Sequence, residues 1–305
     1  MERELPYNSF NAAMRRRFGK KMYKLSLRGD MTCPNRDGTV GTRGCVFCSA
    51  AGAGEFAAPR CGNVDVQIQA AKEIIGKKGK NAGFIGYFQD FTNTYGPVQA
   101  LRQMFFEAIS HKDIEALAIA TRPDCLGPEI MELLRELNEI KPVWVELGLQ
   151  TVHESTARYI RRGYDLPVFE DAVEKLGKAG IEAVVHMIIG LPGETEEMIY
   201  ETAEYISSQN VSGVKFHMLY IQKGADIARE YLAGGVPVLT LEEYIHLLEG
   251  CVLRTRKDMV IHRLTGDGDK RTLIAPLWSG DKKRVLNAIS RAFEEDKVYQ
   301  GALWR

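Results

Sequence analysis

The sequence predicts an α/β fold, a partial (β/α)6 TIM-like barrel with a C-terminal α/β extension. Two observations point there. Short apolar runs alternate with amphipathic segments from residue 22 to residue 219. The runs are β-branched and almost continuously apolar, as strands are when helices cover both faces of a parallel sheet. Six such βα units in succession suggest a curled parallel sheet or partial barrel.

The elements follow in order. MYKLSL (22–27) reads as the first strand, followed by a cysteine-bearing loop and a helix near 63–78. GFIGYF (83–88) is the second strand, with a helix near 97–110. ALAIAT (116–121) is the third, and a helix starts after Gly127-Pro128, where proline suits a first turn. VWVELGL (143–149) is the fourth; one or two helices run over 153–179 and stop at Gly180. IEAVVHMII (181–189) is the fifth, with a helix opening near Glu194, and GVKFHML (213–219) is the sixth. After about residue 235 the rhythm breaks into a helix (240–255), a strand-like MVIHRLT (259–265), a Gly/Asp turn (266–269) and a helix near 281–295. Residues 1–235 are therefore assigned to the barrel with a basic N-terminal segment, and 236–305 to an extension packed on it. Chemistry in such folds gathers at the C-terminal ends of the strands, here residues 28–62, 86–96, 121–127, 146–153, 186–195 and 218–224.

Composition bounds the function classes. The chain has 305 residues, 45% hydrophobic and 26% charged, with zero formal net charge, so no global field predicts binding to nucleic acid or membrane. MERELPYNSFNAAMRRRF lacks the apolar core of a secretory signal, and no run of about 18 apolar residues suggests a membrane span. A cytoplasmic location is the default expectation. Cysteines there are metal ligands, reactive thiols or core residues rather than disulfides.

Three of the six cysteines fall in CPNRDGTVGTRGCVFCSA (33–50), spaced C-x11-C-x2-C at Cys33, Cys45 and Cys48 with glycines at 38, 41 and 44. Glycine lets backbone approach a bulky inorganic group. Three readings compete: structural zinc with Cys61 as fourth ligand, a redox pair beside unrelated thiols, or an iron–sulfur cluster with one iron left open. Cys125 and Cys251 have no close partner in sequence and read as buried structural thiols.

With these cysteines at the first strand tip, the chain resembles the radical S-adenosylmethionine (SAM) superfamily. That superfamily holds a [4Fe–4S] cluster by three cysteines in the loop after the first strand of a partial (β/α)6 barrel. Its most familiar spacing is C-x3-C-x2-C; the longer gap here is similar to that of the elongator catalytic-subunit-like branch and its short bacterial relatives. ATRPDC (120–125) resembles that branch's ETRPD, ELGLQT (146–151) its ELGVQS, and HMIIGLPGET (186–195) a strand-5 motif shared with coproporphyrinogen-dehydrogenase-like members. YFQDFTNTYGP (87–97), VIHRLTGDG (260–268) and IAPLW (274–278) look like one short bacterial family, and the match covers roughly residues 7 to 300. The resemblance implies that SAM chelates the open iron and that an electron from the cluster cleaves the sulfonium to a 5′-deoxyadenosyl radical. It also implies an external electron donor such as flavodoxin or ferredoxin, and no membrane partner.

Roles carry over residue by residue. Gly86, Tyr87, Phe88 and Gln89 occupy the place of a GGE-like motif whose backbone carbonyls receive SAM's amino group. The glutamate is absent, leaving Gln89 or Asp90 as substitutes. Arg122 and Asp124 match the TRPD motif, but Ala120 stands where a ribose-contacting glutamate is expected, and an Arg-Pro-Asp turn can equally be structural. Glu146 and Gln150, four apart along a strand, point to one side, where buried polar groups need partners or a ligand. Gln150 aligns with a ribose-binding glutamine. His186 stands where relatives carry a polar SAM contact, although a lone strand histidine is commonly a satisfied core residue. GLPGE (190–194) reads as a turn into a helix whose N–H groups could meet an anion. His217, Tyr220 and Lys223 surround the sixth strand's end. Asp90, Lys223 and His262 are the candidates for catalytic groups.

The branch resembled modifies the wobble uridine side chain of tRNA, so tRNA is the expected substrate. After the sixth strand this chain is too short for that branch's acetyltransferase domain. MRRRFGKKMYK (14–24) and HRLTGDGDKR (262–271) are basic stretches compatible with phosphate binding, or with a solvated face. A small-metabolite substrate, or a zinc-stabilised nucleic-acid-binding protein without catalysis, are the alternatives.

Overall fold

The computed structural model describes residues 5–29, 31–49, 63–266 and 268–305. Its centre is a parallel sheet with strand order β1-β2-β3-β4-β5-β6-β8. The first six strands are β1 (Met22–Leu27), β2 (Gly83–Phe88), β3 (Ile114–Thr121), β4 (Val143–Gln150), β5 (Glu182–Ile189) and β6 (Gly213–Met218). Between them run α2 (Val64–Ile75), α3 (Val98–Ser110), α4 (Pro128–Ile140), α5 (Glu154–Tyr159), α6 (Leu166–Lys178) and α7 (Glu196–Ser208). The stretch read as one or two helices is two, separated by Gly163 in the left-handed region at φ +79°.

The expected six-stranded sheet has a seventh member. β8 (Val260–Arg263), within the segment assigned to an extension, pairs in parallel with β6. Three short elements were not foreseen: β7 (Ile221–Gln222), α8 (Ile227–Leu232) and β9 (Leu273–Ala275), with β7 and β9 pairing antiparallel. α9 (Leu241–Arg254) and α10 (Lys282–Glu295) complete the chain. α9 starts in a capping box, with the Thr240 hydroxyl accepting from Glu243 N and the Glu243 carboxylate from Thr240 N.

Strand alternation divides the core. On β4, Val143, Val145, Leu147 and Leu149 pack outward against the helices, while Trp144 and Glu146 face the inside of the curl with the cavity-lining Gly148 and Gln150. Near the strand N-termini the inside is filled by Ile85, Ala116, Ala118, Trp144 and Val184. The alanines of β3 leave room for the Trp144 indole. Helix α1 (Phe10–Phe18) plugs this end with Ala13 and Met14, and Phe10 meets Trp144 edge-on at 6.5 Å.

This placement relocates the basic N-terminal run. α1 lies at the strand N-termini, opposite the cysteine loop. Arg17 pairs with Glu182 (2.7 Å), Lys20 with Glu115 (2.7 Å), and Lys21 lies over the Tyr23 ring at 4.6 Å. Lys24, counted with that run, points inside the barrel. Among the described residues no helix is long and apolar enough to cross a membrane.

Candidate active site

The loop after β1 folds on its own turns. Arg36 N donates to Cys33 O (2.8 Å), Val40 N to Pro34 O (2.8 Å), Gly44 N to Asn35 O (2.6 Å) and Cys48 N to Cys45 O (3.0 Å). Gly38 and Gly44 adopt positive φ, which a β-carbon would resist. The loop is anchored outside itself where Val46 N donates to Ile160 O (3.2 Å) and Val46 O accepts from Ile227 N (3.0 Å).

Cys33, Cys45 and Cys48 are half-buried and line one cavity of about 520 Å³ inside the curled sheet. The Cys45 and Cys48 thiols hydrogen-bond to each other, and this draws Cys45 down to about 7, helped by Arg122, Asn35 and Arg161 and opposed by burial. The same bond, with burial, pushes Cys48 well up. A thiol ready to ionise is a thiol ready to ligate. Among the described residues, no three His, Cys, Asp or Glu side chains converge on a point as a single ion would need. A four-iron cluster binds each thiolate to a different iron and does not need that convergence. Cys61 lies outside the described residues.

At the cavity floor is a hydrogen-bonded ionic group. Glu146, with a fully buried side chain, accepts from Lys24 Nζ (2.5 Å), from Lys215 Nζ and from His186 Nε2 (2.9 Å). Lys215 also donates to the Tyr87 hydroxyl (2.9 Å). Burial opposes ionisation of Glu146, but the two ammonium groups and His186 outweigh it and hold the carboxyl well below its usual range. Burial, aided by Lys215, pushes His186 down to about 4, so the imidazole is neutral at pH 7. Its ring lies 5.2 Å from that of His217, which burial also pushes down.

The other expected residues fall as follows. Tyr87 on β2 and Gln89 just past its end line the cavity. Phe88 packs outward at 5.0 Å from Phe105, its carbonyl accepting from Asn93 Nδ2, and Gly86 sits against Leu117, where a Cβ would come within 2.8 Å. Asp90 pairs with Arg28 (3.2 Å) and is outside the cavity lining. Arg122 lines the cavity but is held by Asp124 through Nε (2.9 Å) and Nη2 (2.7 Å) and by Arg162 O (2.7 Å). Gln150 lines the cavity from a left-handed backbone at φ +69°, beside a register shift in the β4–β5 ladder. His262 faces the floor, 4.8 Å from Phe10, with Nδ1 lacking a hydrogen-bond partner. Tyr220 lines the upper wall, whereas Lys223 is exposed, its backbone N–H donating to Thr272 O (2.8 Å).

Two expectations need correction. The GLPGE turn is not an anion cradle on this cavity: α7 is capped by Thr195, and Glu194 accepts from the Thr151 hydroxyl at 2.5 Å. Cys125 is half-buried in the turn after β3 rather than in the core, its thiol pushed up to about 12 by burial and Asp124. Cys251 is fully buried in α9, as expected.

Asn35, Arg36 and Lys215 escaped the sequence reading, and Lys24 was read only as part of the basic run. For the lysines a signal existed: each is a lone charge in an apolar strand at the inward parity, as Glu146 is.

Comparison with known proteins adds the lineage. The model of the radical SAM superfamily matches residues 38–206, and that of the radical SAM C-terminal domain matches 211–295. YtqA of Bacillus subtilis (strain 168) is 41% identical over 302 residues, covering 99% of this chain and 94% of that protein. A tRNA uridine(34) acetyltransferase of Methanocaldococcus jannaschii is 25% identical over 153 residues, 48% of this chain and 27% of that protein. Among solved structures, Methanocaldococcus infernus Elp3 superposes with a TM-score of 0.69 at 15% identity; the match covers 92% of this chain and 64% of the Elp3 chain.

Proposed function

The chain belongs to the radical SAM superfamily, and on that premise we propose that it modifies the side chain of a wobble uridine in tRNA. The family's cofactors are a [4Fe–4S] cluster and S-adenosylmethionine. The observation that carries the enzymatic reading is the gathering of three half-buried thiols on one cavity with an ionic floor.

Cys33, Cys45 and Cys48 suit three corners of the cluster: the set is all thiolate, and Cys45 is already drawn toward ionisation. The chemistry supplied by the bound pair is reductive cleavage of the sulfonium and hydrogen-atom abstraction, with the electron from an external donor of the flavodoxin or ferredoxin class. Gln89, Gln150 and His186 are the side chains offered to SAM from the strand tips. Glu146 is different. Its partners are supplied by the protein, so it orients His186, Lys24 and Lys215 rather than reaching SAM itself. Arg122, tied to Asp124, serves the cysteine loop.

The RNA reading draws on the likeness to the archaeal tRNA uridine(34) acetyltransferase and on the cavity's size. A cavity of about 520 Å³ is of small-molecule scale and too small for a duplex, so an RNA substrate would have to present an extruded base. The rim supplies cations: Arg43 (2.9 Å), Arg161 (2.5 Å) and Arg229 (3.1 Å) all pair with Asp226, leaving local positive charge beside the cysteine loop. The ionic floor would equally suit a small polar metabolite, which is the second reading.

Anaerobically reconstituted protein is expected to carry about four irons and four sulfides per chain. Cys45→Ala should abolish 5′-deoxyadenosine formation, whereas Cys61→Ala should leave the cluster in place. Stoichiometric zinc without iron would refute the enzymatic reading. Mass spectrometry of tRNA nucleosides from a deletion strain tests the substrate; an unchanged profile points to the metabolite.

A further inference from the structure

We propose that Asn35 tunes the electron affinity of the cluster through an N–H···S hydrogen bond to Cys45. The inference rests on reading Cys33, Cys45 and Cys48 as cluster ligands.

Asn35 is buried, 4% exposed, two residues after Cys33. Its Nδ2 lies 3.6 Å from Cys45 Sγ, 2.7 Å from Arg161 O and 3.3 Å from Arg162 O. The two carbonyls can only accept, and this sets the orientation of the amide; the sulfur, which as a thiol donates to Arg161 O at 3.6 Å, becomes an acceptor alone once it is a thiolate. Turning it over would place Oδ1 against two carbonyls and a sulfur. Its backbone is held too, Asn35 O accepting from Gly44 N at 2.6 Å. The far side is shaped to fit: a Cβ on Gly163 would stand 2.6 Å from Asn35 Oδ1, and Gly163 has φ +79°.

The carbonyls of Arg161 and Arg162 hold the amide in place; its two N–H groups serve three acceptors, so the longer 3.3 Å contact shares a proton and an N–H reaches the sulfur without rearrangement when charge arrives. One-electron reduction adds negative charge that spreads onto the thiolate ligands. A fixed donor stabilises the reduced form more than the oxidised one and raises the potential. The Arg122 guanidinium, held by Arg162 O (2.7 Å), adds positive charge from the same scaffold. Reductive cleavage of SAM needs an electron that the external donor can deliver, so a cluster that is harder to reduce slows that step. Asn35 is a positioning residue in this scheme and touches no substrate.

The test is an EPR-monitored redox titration of reconstituted wild type, Asn35→Leu and Asn35→Asp, with iron and sulfide counted in each. Leucine keeps the bulk and removes the donor; aspartate also adds negative charge. The expected order of midpoint potentials is wild type highest, Asn35→Leu lower and Asn35→Asp lowest, at unchanged iron content. Loaded variants with the wild-type potential overturn the proposal and leave the cluster assignment intact. Variants that lose the cluster overturn it as well, making Asn35 an assembly residue. Wild type that binds no iron removes the assignment on which the proposal stands.

Discussion

Glu146 shows how much one buried residue can organise. Its carboxylate faces two ammonium groups and an imidazole on the barrel floor. Replacing it with glutamine keeps the shape and leaves Lys24 and Lys215 without a countercharge. Breaking a buried ion pair from one side costs about 3–5 kcal/mol. Glu146→Gln is therefore expected to lower the urea midpoint by that amount of stability at an unchanged slope. A loss under about 1 kcal/mol would mean that water or relaxation already screens the group. The histidines add a pH dependence with a definite sign. Burial holds His186 at about 4 against 6.5 for the free side chain, and His217 and His262 are pushed the same way. The unfolded chain therefore takes up protons first as pH falls below about 6.5, and stability drops until the folded form also protonates near 4. His186→Gln removes one of these contributions. Its stability curve between pH 4 and 6.5, measured by denaturant unfolding, should be shallower than wild type; an equal slope would show that His186 is not held neutral.

The strands were legible because their burial is two-sided. MYKLSL and GFIGYF match β1 and β2 to the residue, and the other four agree within two residues at either end. β7 and β9 were not legible, since two or three residues hold no periodicity. β8 looked like a strand, but nothing local says that it returns to pair with β6. The cysteine loop was legible as a set of candidate ligands, not as a shape. Its shape depends on Gly163, between α5 and α6, whose missing β-carbon leaves space for the Asn35 amide. A contrast tests this. Gly163→Ala meets both a left-handed backbone and an atom 2.6 Å away, whereas Gly38→Ala meets a left-handed backbone (φ +96°) with open space around it. The backbone alone costs about 1 kcal/mol. Gly163→Ala is expected to destabilise clearly more than Gly38→Ala, by about 1–3 kcal/mol in total. Equal effects in denaturant unfolding would mean that neither the Asn35 amide nor the Val40 side chain, 2.8 Å from the same Cβ, is tightly seated against Gly163.

Across the whole molecule the two ends of the barrel do different work. The end at the strand N-termini is closed by α1 over Trp144, and Arg17, Lys20 and Lys21 of the N-terminal run are drawn into contacts there with Glu182, Glu115 and Tyr23. A chain with zero net charge can still attract a polyanion locally, and the proposed function would assign that part to the cations on the cysteine side. Sequence alone could not make this distinction: MRRRFGKKMYK is the densest basic run, but its position is set by the packing of α1 and not by its charge. The proposed RNA substrate can thus be tested by comparing the two ends. Arg43→Gln with Arg229→Gln should weaken tRNA binding several-fold at low salt. The same pair should flatten the plot of log affinity against log salt by about 1 for each phosphate no longer neutralised. Arg16→Gln with Arg17→Gln, on the far end, should leave affinity and slope near wild type. The opposite pattern would move the RNA to the closed end, away from the thiols, and would separate RNA binding from the radical chemistry altogether.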